Sequence, residues 1–146
     1  MIQEKIKENY PHHLTESINS NQSLFISDYT DQTKGESSKR GTEFSEKFPP
    51  HDIEYFSLYN PKNIVVVGTP FNKDSFRSVD DKIETQCECV IFPQSSNSNS
   101  WICFIELKYS NKKRKNPRNF NKAKKQLIET QKYYRIKNIF SSTLLN

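Results

Sequence analysis

The sequence predicts an α/β domain, and three stretches carry that prediction. "NIVVVGTP" is a β-branched run closed by Gly68, Thr69 and Pro70, a strand signature because branched side chains pack well on a pleated surface. "CECVIF" and "WICFIELKY" are two further apolar runs separated by the polar stretch "QSSNSNS", the pattern of an antiparallel hairpin with a long loop. "NPRNFNKAKKQLIETQKYYRIKNIF" places Pro117 after Asn116 and sets Phe120, Ala123, Leu127 and Tyr134 on one stripe. That suits an amphipathic helix with proline in its first turn.

The other elements follow in chain order. Residues 1–50 are rich in Ser, Thr, Asn, Gln, Glu and Lys without sustained periodicity, and predict a flexible, polar N-terminal arm. Within it "SLFISDYT" predicts one short strand without an evident partner, and His12 and His13 are expected to face solvent. Pro49 and Pro50 precede "HDIEYFSLYN", where Ile53, Phe56 and Tyr59 recur near helical spacing until Pro61, so a short helix is expected. "FNKDSFRSVDDKIETQ" reads as a polar connection holding at most a short edge strand. The ending "FSSTLLN" reads as a further strand or a tail. A chain of 146 residues has room for one ordinary core, so the division expected is an arm over 1–50 and a single domain over 51–146.

Composition narrows the setting. The mean hydropathy is −0.87, and no apolar run approaches the roughly 20 residues that span a bilayer. The N-terminal "MIQEKIKENY" has no apolar signal region. No membrane association and a cytoplasmic location are therefore expected. Cys87, Cys89 and Cys103 form an odd set without C-x-x-C spacing, which fits reduced thiols better than a disulfide framework; they read as small buried hydrophobes rather than zinc ligands. Charge is unevenly spread. From Lys108 to Lys137 there are twelve Lys or Arg against one acid, Glu129, a net of +11, while the rest of the chain holds ten bases and sixteen acids, a net of −6. A basic block of this size is the electrostatic footprint of a nucleic-acid binder.

The chemistry-bearing residues sit in the hairpin. A strand sends residues i and i+2 to one face, so Glu106 and Lys108 are neighbours, and Glu88 shares a face with Val90 and Phe92 while Cys87, Cys89 and Ile91 take the other. In a suitable register Glu88 and Glu106 approach each other. Two such carboxylates repel unless a cation lies between them, and Mg²⁺ accepts a few carboxylate oxygens together with several waters. The structural alternative for Glu106 and Lys108 is a cross-strand ion pair. Asp80, Asp81 and Glu84 read as solvated turn acids, any of which can stand in for Glu88. No Gly-rich phosphate loop, G-x-S-x-G or H-E-x-x-H occurs, so the common nucleotide-binding, hydrolase and metalloprotease motifs are not in play.

An acid, about twenty residues, then Glu-x-Lys at the end of an apolar strand resembles the PD-(D/E)XK nuclease superfamily: "ECVIF" and "FIELK" are similar to its core pattern, and "KAKKQLIET" to the helix that follows. The resemblance covers about residues 60 to 135. It implies a restriction-endonuclease-like core, a mixed central sheet of about four strands flanked by helices. It further implies that Glu88 and Glu106 ligate Mg²⁺ or Mn²⁺, that Lys108 is the catalytic lysine, and that Gln126 faces the site. The function expected is metal-dependent hydrolysis of phosphodiester bonds in nucleic acid, DNA ahead of RNA, with Lys112, Lys113, Arg114, Lys115, Arg118, Lys122, Lys124 and Lys125 holding the backbone; a homodimer is compatible with this reading. The alternative is a catalytically inactive member of the same fold that binds nucleic acid or a protein, favoured by glutamate at position 88 where the family usually has aspartate.

Overall fold

The structure is a computed structural model that describes residues 1–95, 100–107 and 117–140. Seven strands and two α-helices are assigned there: α1 (Ile2–Asn9), β1 (Ile18–Ser20), β2 (Leu24–Asp28), β3 (Thr42–Ser45), β4 (Tyr55–Leu58), β5 (Val66–Pro70), β6 (Cys89–Pro93), β7 (Cys103–Ile105) and α2 (Pro117–Ile136). A short 3-10 turn, Pro11–Leu14, follows α1. The protein is thus mixed α and β.

The strands form two sheets, one in the order β1-β5-β6-β7 and one in the order β3-β2-β4. The larger has the four strands expected, and β6 and β7 pair as the anticipated antiparallel hairpin. Its pairing differs from expectation. Every ladder among the described residues is antiparallel, so no mixed pairing occurs there. Residues 141–146, where a last strand was considered, lie outside the described residues.

β5 and β6 are central and almost wholly buried, which explains their continuous apolar runs, since strands covered on both faces do not alternate. On one side Val67, Val90 and Phe92 pack with Ile2 and Ile6 of α1, Phe76, Tyr134 of α2, Ile139 and Phe140. On the other side Cys89, Ile91, Ile105 and Leu107 meet Ile26 of β2, with Phe44 and Leu58 from its neighbours. The central sheet is therefore sandwiched between helices and the smaller sheet. Gly68 of β5 permits that close approach: a Cβ there would lie 2.6 Å from Cε1 of Phe44.

Three expectations need correction. Residues 1–50 are part of the fold instead of an arm, because Ile2 and Ile6 lie one helical turn apart and bury a stripe, while β1 joins the central sheet and β2 runs through the middle of the second. "HDIEYFSLYN" contains β4, not a helix. β2 supplies a partner for the Tyr-Phe-Ser-Leu run, pairing Ile26 with Phe56 and Leu24 with Leu58. His13 is only 2% exposed, stacked on Tyr10. The stretch after β5 is a connection, as expected, with a single bridge between Arg77 and Ile83.

Among the described residues α2 runs from Pro117 to Ile136, and its docking stripe is shifted from the one expected. Phe120 is 71% exposed, whereas Thr130 and Tyr134 are buried. The stripe that meets the sheet is Lys122, Gln126, Thr130 and Tyr134, each four residues from the next, running from an exposed lysine to a buried tyrosine.

Candidate functional site

The exposed end of that stripe borders a cavity of about 710 Å³. Its walls come from the N-terminal half of α2 (Lys122, Lys125, Gln126), the approach to β6 (Glu84 to Glu88), the residues after β5 (Phe71, Lys73) and the end of β2 (Asp28, Thr30). Five residues singled out from the sequence therefore meet at one place: Glu84, Glu88, Gln126, Lys122 and Lys125.

Each is held by a specific local cause. Glu88 immediately precedes β6; its carbonyl accepts from Phe71 N–H at 2.8 Å and its own N–H donates to the carbonyl of Ile105 at 3.1 Å, so its backbone is pinned on both sides. Its carboxylate accepts a hydrogen bond from the Thr42 hydroxyl of β3 at 3.1 Å. Gln126 is anchored by its amide nitrogen, which donates to the carbonyl of Gln86 at 2.9 Å. Its amide oxygen is buried and has no hydrogen-bond partner among the described residues. One turn on, Thr130 receives the N–H of Cys87 at 2.7 Å and donates to the carbonyl of Gln126 at 2.8 Å, tying α2 to the strand that carries Glu88.

Glu106 follows β7 directly, next to the Cys89–Ile105 pair of the ladder. Both of its carboxylate oxygens are buried, and it is not part of the cavity wall. Glu88 and Glu106 are nevertheless both close to Cys89: burial chiefly holds that thiol well above its usual range, and both carboxylates add to the effect. Burial likewise pushes the Cys87 thiol up to about 12, with a contribution from Glu106. These two cysteines do not share a face as regular alternation predicts. Cys89 belongs to the cluster against the second sheet, whereas the Cys87 thiol interacts with Thr130 of α2. The offset arises where the Glu88 N–H reaches Ile105 and not Glu106, one residue out of step with the β6–β7 ladder, as at a bulge.

Arg118 and Lys124 are exposed on α2 outside the cavity wall. Lys108, Lys112, Lys113, Arg114 and Lys115 lie outside the described residues. Asp28, Thr42 and Lys73 were not anticipated. Thr42 and Asp28 are cross-strand partners, a tertiary pairing that no local pattern announces. All three cysteines are free thiols.

Whether the wall suits a metal ion can be asked of its donors. Glu88 and Asp28 offer carboxylate oxygens, and Gln126 an amide oxygen lacking a donor, an all-oxygen set that suits a hard cation such as Mg²⁺ or Mn²⁺ and not zinc. Among the described residues, no group of three or more His, Cys, Asp or Glu is placed to hold an ion. One or two carboxylates with waters and substrate oxygens satisfy Mg²⁺, so the donors fit that more open arrangement. No protein-family model matches the chain, and neither curated proteins nor solved structures give a match. Among the described residues, no helix is long and apolar enough to cross a membrane.

Proposed function

We propose that the protein is a metal-dependent nuclease of the PD-(D/E)XK type, acting on DNA ahead of RNA. The observation that carries this reading is the cavity in which Glu88, just before β6, comes together with Gln126, Lys122 and Lys125 of α2. The order of elements is also in keeping with it: an antiparallel hairpin with Glu88 just before its first strand and Glu106 just after its second, then a helix bearing glutamine and lysines. Glu88 would hold Mg²⁺ or Mn²⁺, with Glu106 as the second carboxylate. A bound ion of this kind polarises a phosphoryl oxygen and makes a water acidic enough to attack. Lys122 and Lys125 attract the phosphate, and Gln126, anchored through Gln86, presents its oxygen to the water or the ion. Lys108, two residues beyond Glu106, would stabilise the negative charge that builds on the phosphate.

A second reading keeps the nucleic-acid contact and drops the chemistry. It is favoured by the position of Glu106, whose buried oxygens lie off the cavity wall. Titration of the purified protein with Mg²⁺ and Mn²⁺ in the presence of labelled DNA and RNA separates the two. Metal-dependent cleavage that disappears in Glu88→Ala supports the nuclease. Salt-sensitive binding without cleavage under any metal supports the binding module.

A further inference from the structure

Half of the large apolar side chains exposed among the described residues fall between residues 48 and 65: Phe48, Tyr55, Phe56, Tyr59, Ile64 and Val65. They gather on β4 and its flanks. β4 is an outer strand of the second sheet, paired with β2 on one side and with no described strand on the other. An outer strand turns one row of backbone N–H and C=O groups away from its sheet, and these form a template for a further strand unless charges, proline or a bulge blunt it. The opposite outer strand, β3, carries Glu43, which is ion-paired to Arg40. β4 has no charge along Tyr55–Leu58, and Tyr55, Phe56 and Ser57 are all exposed. Its aromatic surface is continued by Phe25 and Phe48, whose rings lie 5.4 and 6.0 Å from that of Tyr55.

We infer that two copies of the chain pair edge to edge through β4, antiparallel about a two-fold axis at Ser57. The side chains along this segment select a second copy as the occupant, because they match themselves when the strand is reversed. With Ser57 opposite Ser57, Phe56 faces Leu58 and Tyr55 faces Tyr59, apolar and aromatic pairs of the kind that stabilise neighbouring strands. Asp52 and Glu54 precede β4 and Lys62 follows it, so the acidic end of each strand lies beside the basic end of the other. All three are exposed and make no ion pair among the described residues. Moving the axis by one residue sets Phe56 against Asn60 or Glu54 against Leu58, and a parallel pairing sets like charges side by side. Each contact at the two-fold is made twice, and the pairing closes at two copies. It is independent of the nuclease reading.

The test is sedimentation velocity of the purified full chain over a concentration series. The mass should rise from 17.2 kDa to twice that value and stop there, since the pairing uses the one edge of each copy. Ser57→Lys sets two like charges opposite each other at the axis and should weaken the dimer about tenfold or more. Ser57 is exposed, and circular dichroism verifies that the variant folds. Asp52→Lys and Lys62→Glu should each weaken the dimer about threefold, the scale of exposed ion pairs. Mixed in equal amounts, these two variants should form a heterodimer tighter than either variant makes alone, because both junctions then join opposite charges. A wild-type chain that stays at 17.2 kDa, a series that runs on past the dimer, a Ser57→Lys chain that dimerises like wild type, or a mixture no tighter than its components each overturns the inference.

Discussion

The hydroxyl of Thr42 donates to the carboxylate of Glu88 across 3.1 Å, and this bond joins the second sheet to the wall of the candidate site. Thr42 pairs with Asp28 on the neighbouring strand, so the β2–β3 ladder delivers both a hydrogen-bond donor and a carboxylate to one end of the central sheet. A threonine-to-valine change keeps shape and removes the donor. Thr42→Val should lower stability by about 1 kcal/mol in urea denaturation, and should raise the Mn²⁺ concentration needed for half-maximal cleavage because Glu88 loses its orientation. Thr42→Ser should restore both. A valine variant with unchanged metal dependence removes Glu88 orientation from the account.

Gly68 is a spacer between the sheets. A Cβ placed on it would meet Cε1, Cδ1 and Cζ of Phe44 at 2.6, 2.7 and 3.0 Å, and no glycine has a positive φ, so the demand here is for space and not for backbone freedom. Gly68→Ala should cost about 1–3 kcal/mol, the range for forcing extra volume into a packed core. Combining it with Phe44→Leu should recover part of that loss, and a double-mutant cycle reads the coupling. Strictly additive effects would show that the ring does not bear on position 68.

What was legible in the sequence follows from the range of the forces involved. β5, the β6–β7 hairpin and the existence of α2 rest on signals contained within short stretches: β-branching, a polar turn and a run of helix-forming residues. Ile2 and Ile6 stand one turn apart, but among Gln, Glu and Lys two positions are too few to announce a helix. β4 was misread because Ile53 and Phe56 mimic a helical spacing, while the partner that makes Tyr55–Leu58 a strand lies about thirty residues earlier in β2. The site divides the same way. Glu88, Gln126, Lys122 and Lys125 stand out as charged or polar residues beside apolar runs, whereas Asp28, Thr42 and Lys73 enter only through pairings between distant elements.

His13 gives the fold a pH dependence whose sign can be worked out. Its Nε2–H donates to the carbonyl of Ser75 at 2.8 Å and its Nδ1 accepts from the Tyr134 hydroxyl at 3.1 Å, an arrangement that uses the neutral ring. Burial, reinforced by neighbouring His12, lowers its pKa from 6.5 to about 4 against the opposing hydrogen bond to Ser75. The unfolded chain therefore takes up a proton at this residue before the folded one does. The stability contributed is fully present above pH 6.5, falls as the pH drops from 6.5 to 4, and is gone below; the loss is on the order of 3 kcal/mol. An NMR titration of the His13 ring should show no midpoint above pH 5, and urea denaturation should show the slope. A ring that titrates near 6.5 would refute the buried arrangement.

Glu106 offers the sharpest division between a structural and a catalytic role. Its carboxylate oxygens are buried beside Cys87 and Cys89, whose thiols it helps to hold in the protonated form, and a charge in such surroundings is retained either because a folding partner needs it or because chemistry does. Glu106→Gln preserves size and removes the charge. If Glu106 is the second metal carboxylate, the variant should fold with wild-type circular dichroism and a melting temperature within a few degrees of it. It should bind DNA as well as or better than wild type, since one source of phosphate repulsion is gone. It should lose cleavage by at least about a hundredfold, the scale of removing an electrostatic stabiliser from a preorganised site. If the carboxylate serves only to balance a cation in the fold, the variant should be destabilised by about 3–5 kcal/mol, as when one partner of a buried pair is removed, and Glu106→Asp, which keeps the charge, should recover much of that. A variant that folds, binds and still cleaves at the wild-type rate removes Glu106 from the mechanism and leaves Glu88, with Asp28 across the cavity, as the carboxylates to be tested.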